Sequence, residues 1–252
     1  MKTVTLATLA LTGIATAQTA QTPVPATEGG GTDALALSRF SASEEINFFN
    51  LQGGNVTQFL STIDWDTPIH NLSASLTMPV YTDGNTGAGM LDLGAQWVAL
   101  ESKDTFVDTL TLTLDVLLPT SSAGFGGTGV NPVVGAQTEG QTGLEGLQWN
   151  AGAAWQWNTS GNYIPVFGGF TEENILSAEG GLSWAVAETL QVQGNYGFWY
   201  LDNGSSVNTV GPALKWTPCH NAELGFRCDI PFSDTNASDL ELIVGFSAGI
   251  KF

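Results

Sequence analysis

At 252 residues and 26.4 kDa, the chain can bury one large β domain or two small ones. It carries 24 acidic against six basic side chains, a formal net charge of -18, which excludes a nucleic-acid partner because phosphates need clustered Lys and Arg. Two cysteines and two histidines are too few for a zinc site of any usual spacing.

The first residues, "MKTVTLATLALTGIATAQTA", place Lys2 before an apolar run from Val4 to Ile14 and then Ala15-Thr16-Ala17. That order reads as a secretory signal peptide over 1–17, since a membrane helix needs about 20 apolar residues. Residues 18–38 are small and bear Pro and Gly, and read as a flexible leader. From residue 39 to 252 strand follows strand, each near ten residues, with turn signals between them.

Strands are expected near 44–51, 57–66, 71–80, 90–100, 109–118, 147–157, 162–170, 175–186, 190–200, 208–217, 222–230 and 240–252. The alternation is clearest in the middle. In "MLDLGAQWVAL", Leu91, Leu93, Ala95 and Trp97 oppose Asp92, Gly94 and Gln96. "TLTLTLDVLLP" sets Leu110, Leu112, Leu114 and Val116 against Thr111, Thr113 and Asp115. "LQWNAGAAWQW" sets Leu147, Trp149, Trp155 and Trp157 against Gln148, Asn150 and Gly152. A period of two is a strand with one apolar face.

Charges decide what that apolar face meets. Asp92, Asp115, Glu179, Lys215, Glu223, Arg227, Asp229, Glu241 and Lys251 all fall on the non-apolar parity, which is otherwise rich in Gly, Ser, Thr, Asn and Gln. Only 12% of the chain is charged, low for strands whose polar side meets water. A membrane barrel accounts for this: apolar residues face lipid, while polar and small ones line the lumen. A soluble exported sandwich is the competing reading. The expected fold is all-β, an antiparallel up-and-down transmembrane β-barrel of about twelve strands. Short turns ("DTPIHN", "AVAETL", "WTPCHNA") would lie on the periplasmic side, and longer loops, including Pro119 to Gly146, on the outer side. That long loop reads as a surface loop, with a constriction folded into the lumen as the alternative.

Trp65, Trp157, Trp184, Trp216, Tyr200 and Phe252 fall near strand ends, as an interfacial girdle would. Trp97, Trp149, Trp155 and Trp199 fit that pattern less cleanly. Cys219 falls beside a tight turn and Cys228 some way up the next strand, so either they are unbridged or the turn lies elsewhere, because a disulfide needs Cα atoms within about 7 Å. The final aromatic, Phe252, resembles the terminal signature of bacterial outer-membrane barrels, which implies recognition by the barrel-assembly machinery.

Three ordered stretches carry a narrower resemblance: "GAGMLDLGAQWVAL" (87–100), "LTLDVLLPTSSAGFGGTG" (112–129) and "VGPALKWTPCHNAELGFRCDIPF" (210–232). With "GFSAGIKF", they resemble the outer-membrane transporters grouped as the MetA-pathway phenol-degradation family, over residues 40–252. The resemblance implies a bacterial outer-membrane barrel that takes up small, often aromatic, molecules.

From the residues themselves, the expected function is a pore or facilitator for small-molecule solutes, held in outer-membrane lipid. The candidate lumen-lining groups are Asp92, Asp115, Gln148, Asn150, Glu179, Gln193, Lys215, Glu223 and Arg227. An acidic lumen predicts preference for cations or neutral solutes over anions. The alternative is a structural or adhesive surface protein without transport. An enzyme is not expected, because His70 and His220 fall in short turns, away from any serine-rich loop. No cofactor is expected either: the Gly-rich loop at 124–129 sits in an all-β pattern, without a phosphate-cradling Gly-Lys motif.

Overall fold

The computed structural model describes residues 40–51, 54–102, 106–119, 125–235 and 240–252. The expected signal peptide and leader, and Arg39, lie outside the described residues. Among the described residues, fifteen strands follow one another: β1 (Phe40–Leu51), β2 (Gly54–Asp66), β3 (Leu72–Thr82), β4 (Thr86–Ala88), β5 (Leu91–Glu101), β6 (Thr109–Leu118), β7 (Asn131–Gln141) and β8 (Leu147–Gln156) come first. Then come β9 (Asn162–Ile164), a 3-10 turn at Pro165–Phe167, β10 (Gly169–Thr171), β11 (Ile175–Ala187), β12 (Leu190–Leu201), β13 (Ser206–Cys219), β14 (Ala222–Thr235) and β15 (Leu240–Lys251).

Twelve of these are long and pair antiparallel with their neighbours in chain order. The ring closes where β1 pairs with β15, Ser41 opposite Lys251 and Phe48 opposite Val244. Closure leaves no edge along that seam, the condition for a sheet to survive in lipid. Among the described residues, β14 pairs with β15 from Ala222–Ile250 to Asp229–Ile243. The short β4 pairs with the end of β3, and β9 with β10 forms a separate two-stranded hairpin.

The number of barrel strands matches the expected twelve, but two segments trade places. Residues 131–141, expected inside a long loop, form barrel strand β7 between β6 and β8. Its outward residues are Pro132, Val134, Ala136, Thr138 and Gly140, so small side chains mute the alternation. Residues 162–170, expected as a barrel strand, are instead the β9–turn–β10 hairpin. As a result β8 runs opposite to the direction that the expected strand order requires.

Register fixes the two faces. Leu93, Trp97, Leu114, Leu182, Val210, Phe246 and Ile250 point outward and are exposed, an apolar belt that matches a bilayer rather than water. Trp65, Trp149, Trp184 and Trp216 lie close to the strand ends on the rim that carries residues 40 and 252. Trp65 stacks on Phe40 with ring centroids 6.2 Å apart. Trp199 is different: it faces inward and packs against buried apolar residues. Cys219 is exposed and Cys228 partly buried, and both are free thiols.

Candidate functional site

The inner wall changes character along the barrel axis. At the rim opposite residues 40 and 252, the inward positions turn apolar: Phe49, Val56, Tyr81, Ile175, Leu201, Val207 and Ile243 are all buried. Loop residues fill the space among them. Phe125 comes from the β6–β7 connection, and Tyr163, Ile164 and Val166 come from the β9–β10 hairpin between β8 and β11. The rings of Tyr81, Phe125 and Tyr163 sit 5.0–5.7 Å apart, within the range of favourable aromatic pairs. Gly126 bridges to Asn162 and Phe125 is buried beside it, so this described part of the β6–β7 connection folds inward rather than lying on the surface as expected. These groups form an apolar plug in the loop-bearing mouth.

Asparagines hold the plug to the wall. Asn131, fully buried at the start of β7, donates from Nδ2 to Asn158 Oδ1 (2.7 Å) and to the Gly161 carbonyl (3.1 Å). Asn158 in turn donates to the carbonyls of Thr171 (2.9 Å) and Glu173 (3.0 Å) at the far end of the hairpin. The Asn158 N–H donates to Asn174 Oδ1, and Asn174 Nδ2 donates to Asp202 Oδ2 at 2.7 Å. Buried amides satisfied in this way are stable, and each would be costly to leave unpaired. Two backbone positions complete the hairpin: Gly168 takes a φ of 69° that caps the turn, and the Phe170 ring covers Gly161, where a Cβ would clash with it. Burial pushes the Tyr163 hydroxyl up to about 12, so it stays neutral in the plug. At the exposed base, the hydrogen bond between the Glu173 and Asp202 carboxyls holds Glu173 above and Asp202 below the usual carboxylate range.

Beneath the plug lies a cavity of about 170 Å3, lined from β1 around to β11. Asp92 and Asp115 face it from β5 and β6, together with Thr62, Thr77, Gln96 and Gln156, and with apolar patches at Leu60, Leu117, Val133 and Ile175. Thr62 and Thr77 bond to each other at 3.0 Å. Asp92 Oδ1 is shielded from solvent and has no hydrogen-bond partner among the described residues. Gly94 keeps the space open, since a Cβ there would lie 2.5 Å from Asp115 Oδ1 and closer still to Ser75 Oγ.

The remaining candidates distribute around the wall. Gln148 and Asn150 lie on the inward parity of β8, opposite Ser183 and Gly181 of β11. Glu179 reaches toward Gly152, where a Cβ would meet its Oε1 at 3.3 Å. Gln193 on β12 has a shielded Nε2 without a hydrogen-bond partner, as does Trp199 Nε1. Lys215 pairs with Glu223 at 2.8 Å across β13 and β14. Arg227 reaches over Gly245 to Asn47 Oδ1 (2.9 Å) and Glu45 (3.3 Å), with Asp229 at 3.8 Å. Asn47 passes the chain on to Gln58 at 3.1 Å. Thus the structure brings Asp92 and Asp115 together and ties Lys215, Glu223 and Arg227 into ion pairs, while Gln148, Asn150, Glu179 and Gln193 stand apart from that cavity's lining. His70 and His220 lie in turns at the rim that carries residues 40 and 252.

The plug residues escape the sequence pattern, yet a signal exists. Inward positions turn from polar to apolar at the same end of successive strands, as at Phe49, Val56, Tyr81, Ile175 and Val207. Lipid contact does not require that change; an inward-folded loop does.

The fold is that of solved outer-membrane barrels. The COG4313 outer membrane channel from Pseudomonas putida F1 superposes with a TM-score of 0.60 at 12% identity, covering 90% of this chain and 100% of that one. The NanC porin gives a TM-score of 0.57 at 9% identity, covering 84% and 98%. The CymD monoaromatic hydrocarbon channel gives 0.50 at 7% identity, covering 85% and 88%. No curated protein matches the chain in sequence. Over residues 19–239 the sequence matches the family described as "Putative MetA-pathway of phenol degradation", and the chain belongs to that family.

Proposed function

We propose that this protein is an outer-membrane facilitator for small, partly apolar molecules, exported through its N-terminal signal peptide. The carrying observation is a polar-and-apolar cavity of about 170 Å3 held under an apolar plug inside a closed barrel. An apolar constriction excludes hydrated ions more strongly than molecules with an apolar face. The fold shared with channels, one of them described as a monoaromatic hydrocarbon channel, supports the same reading. Lys215 and Arg227 are each neutralised by carboxylates, whereas Asp92 and Asp115 have no cationic partner among the described residues, so the lumen favours cations or neutral solutes over anions. Recognition of the exposed Phe252 ring by the barrel-assembly machinery belongs to the same proposal; Phe252 lies just past β15, and its N–H donates to the Phe40 carbonyl at 2.9 Å.

Liposome swelling with purified protein tests this. Small neutral solutes of single-ring size should enter, and disaccharides should lag far behind. In a planar bilayer, the small residual current should reverse at a cation-selective potential. An anion-selective reversal would refute the lumen assignment. No solute entry, even with residues 159–171 replaced by a short linker, would favour a surface protein that does not transport.

A further inference from the structure

The cavity beneath the plug is specific in size and chemistry. About 170 Å3 is close to the roughly 150 Å3 of an engineered apolar cavity that holds benzene, so one ring with a short substituent fills it. Its wall offers Leu60, Leu117, Val133 and Ile175 to an apolar body. On the same wall, Asp92 and Asp115 lie on neighbouring strands, Asp92 opposite Leu117 and Asp115 opposite Gly94.

Among the described residues, no Lys or Arg is paired with these two carboxyls. The described Lys and Arg residues are Lys215, Arg227 and Lys251. Counting the twelve barrel strands in ring order, β5 and β6 are fourth and fifth, while β13 and β14 are tenth and eleventh, half a ring away. Lys215 is held there by Glu223, and Arg227 by Glu45 and Asp229; Glu45 also lines the cavity but is already answered. Asp92 Oδ1 meets neither solvent nor a hydrogen-bond donor. Leaving a buried acceptor of that kind unpaired costs free energy that an arriving donor recovers. A bare metal ion does not fit the demand: among the described residues, no three His, Cys, Asp or Glu side chains are placed to hold one.

We propose that this cavity is a binding subsite for a small molecule joining a single apolar ring to a protonated amine, with the ring against the aliphatic wall and the ammonium between Asp92 and Asp115. The inference rests on the facilitator reading and names the solute class of that lumen. Gly94 is part of the design, because a Cβ there would crowd both Asp115 Oδ1 and Ser75 Oγ.

Calorimetric titration of the folded protein in detergent micelles tests it, with 2-phenylethylamine, 2-phenylethanol and phenylacetate as probes. The amine should bind at least tenfold more tightly than the alcohol, and phenylacetate most weakly. Asp115→Asn and Asp92→Asn should each bring the amine down to the level of the alcohol, with the heat-modifiable band confirming the fold; if one variant fails to fold, the other answers the same question. Equal binding of alcohol and amine, or amine binding that survives in both variants, would overturn the subsite. Swelling assays with neutral solutes read the facilitator role separately. Flux without amine preference sinks the subsite alone, and absence of flux sinks the facilitator reading whatever binds in micelles.

Discussion

Replacing Tyr163 with Ala should unseat the plug while leaving the barrel intact. Tyr163 is 4% exposed and packs its ring 5.0 Å from both Tyr81 and Phe125. Truncating a buried aromatic costs about 3–5 kcal/mol, with the two lost ring pairs included in that range. None of this falls on the barrel seams, because Tyr163 pairs only with Phe170 of the small hairpin. The whole penalty therefore acts on docked against undocked plug. At about 1.4 kcal/mol per factor of ten, the undocked fraction rises by two to nearly four powers of ten. Single-channel recording should show frequent openings in Tyr163→Ala where the parent is nearly silent, and swelling by small sugars should accelerate. Gel migration with and without boiling should stay unchanged. A variant with an intact heat-modifiable band and no gain in conductance would show that the plug does not gate the lumen.

Two further outcomes follow from the inner and outer walls. Gly245→Val should displace Arg227, since a Cβ there would sit 2.6 Å from Asn47 Oδ1 and 2.8 Å from Arg227 Nε; losing charge-assisted bonds worth about 1.5–3 kcal/mol should lower the temperature at which the folded band converts, and an unchanged conversion temperature would count against the network. In proteoliposomes permeabilised to reach both rims, a charged maleimide should modify Cys219 at the exposed end of β13 and leave the lipid-facing Cys228 unmodified until denaturation, as read by intact mass; immediate double labelling or none would contradict the assigned faces.

Much of the barrel is legible in the sequence because its exterior is a repeated physical demand. Leu91, Leu93, Ala95 and Trp97 must all meet lipid, so Asp92, Gly94 and Gln96 must all turn inward, and the register bears that parity through β5 and β6. The pattern fails where the outward surface is made of small residues, as in β7, whose Pro132, Ala136 and Gly140 present no apolar stripe. It fails again at Asn162–Ile164, where three consecutive residues are buried on all sides inside the mouth and alternate nothing. The cavity's carboxyls show as inward positions, but their isolation does not. That follows only from Lys215 and Arg227 being bound half a ring away.

The pairing of β1 with β15 also bears on how the molecule is made. Eleven seams join strands adjacent in the chain, whereas this one joins residues about two hundred apart, such as Ser41 and Lys251. Closing so long a loop costs about 2.5 kcal/mol more than closing a hairpin of a dozen residues, before any ladder bond compensates. Contacts of such sequence separation form late. Until then, a nearly complete sheet carries two long unpaired edges, each a template for pairing with another chain. Assembly is therefore decided at a single seam, and a lesion there, unlike one in any hairpin, would leave a chain that folds almost everywhere and still aggregates.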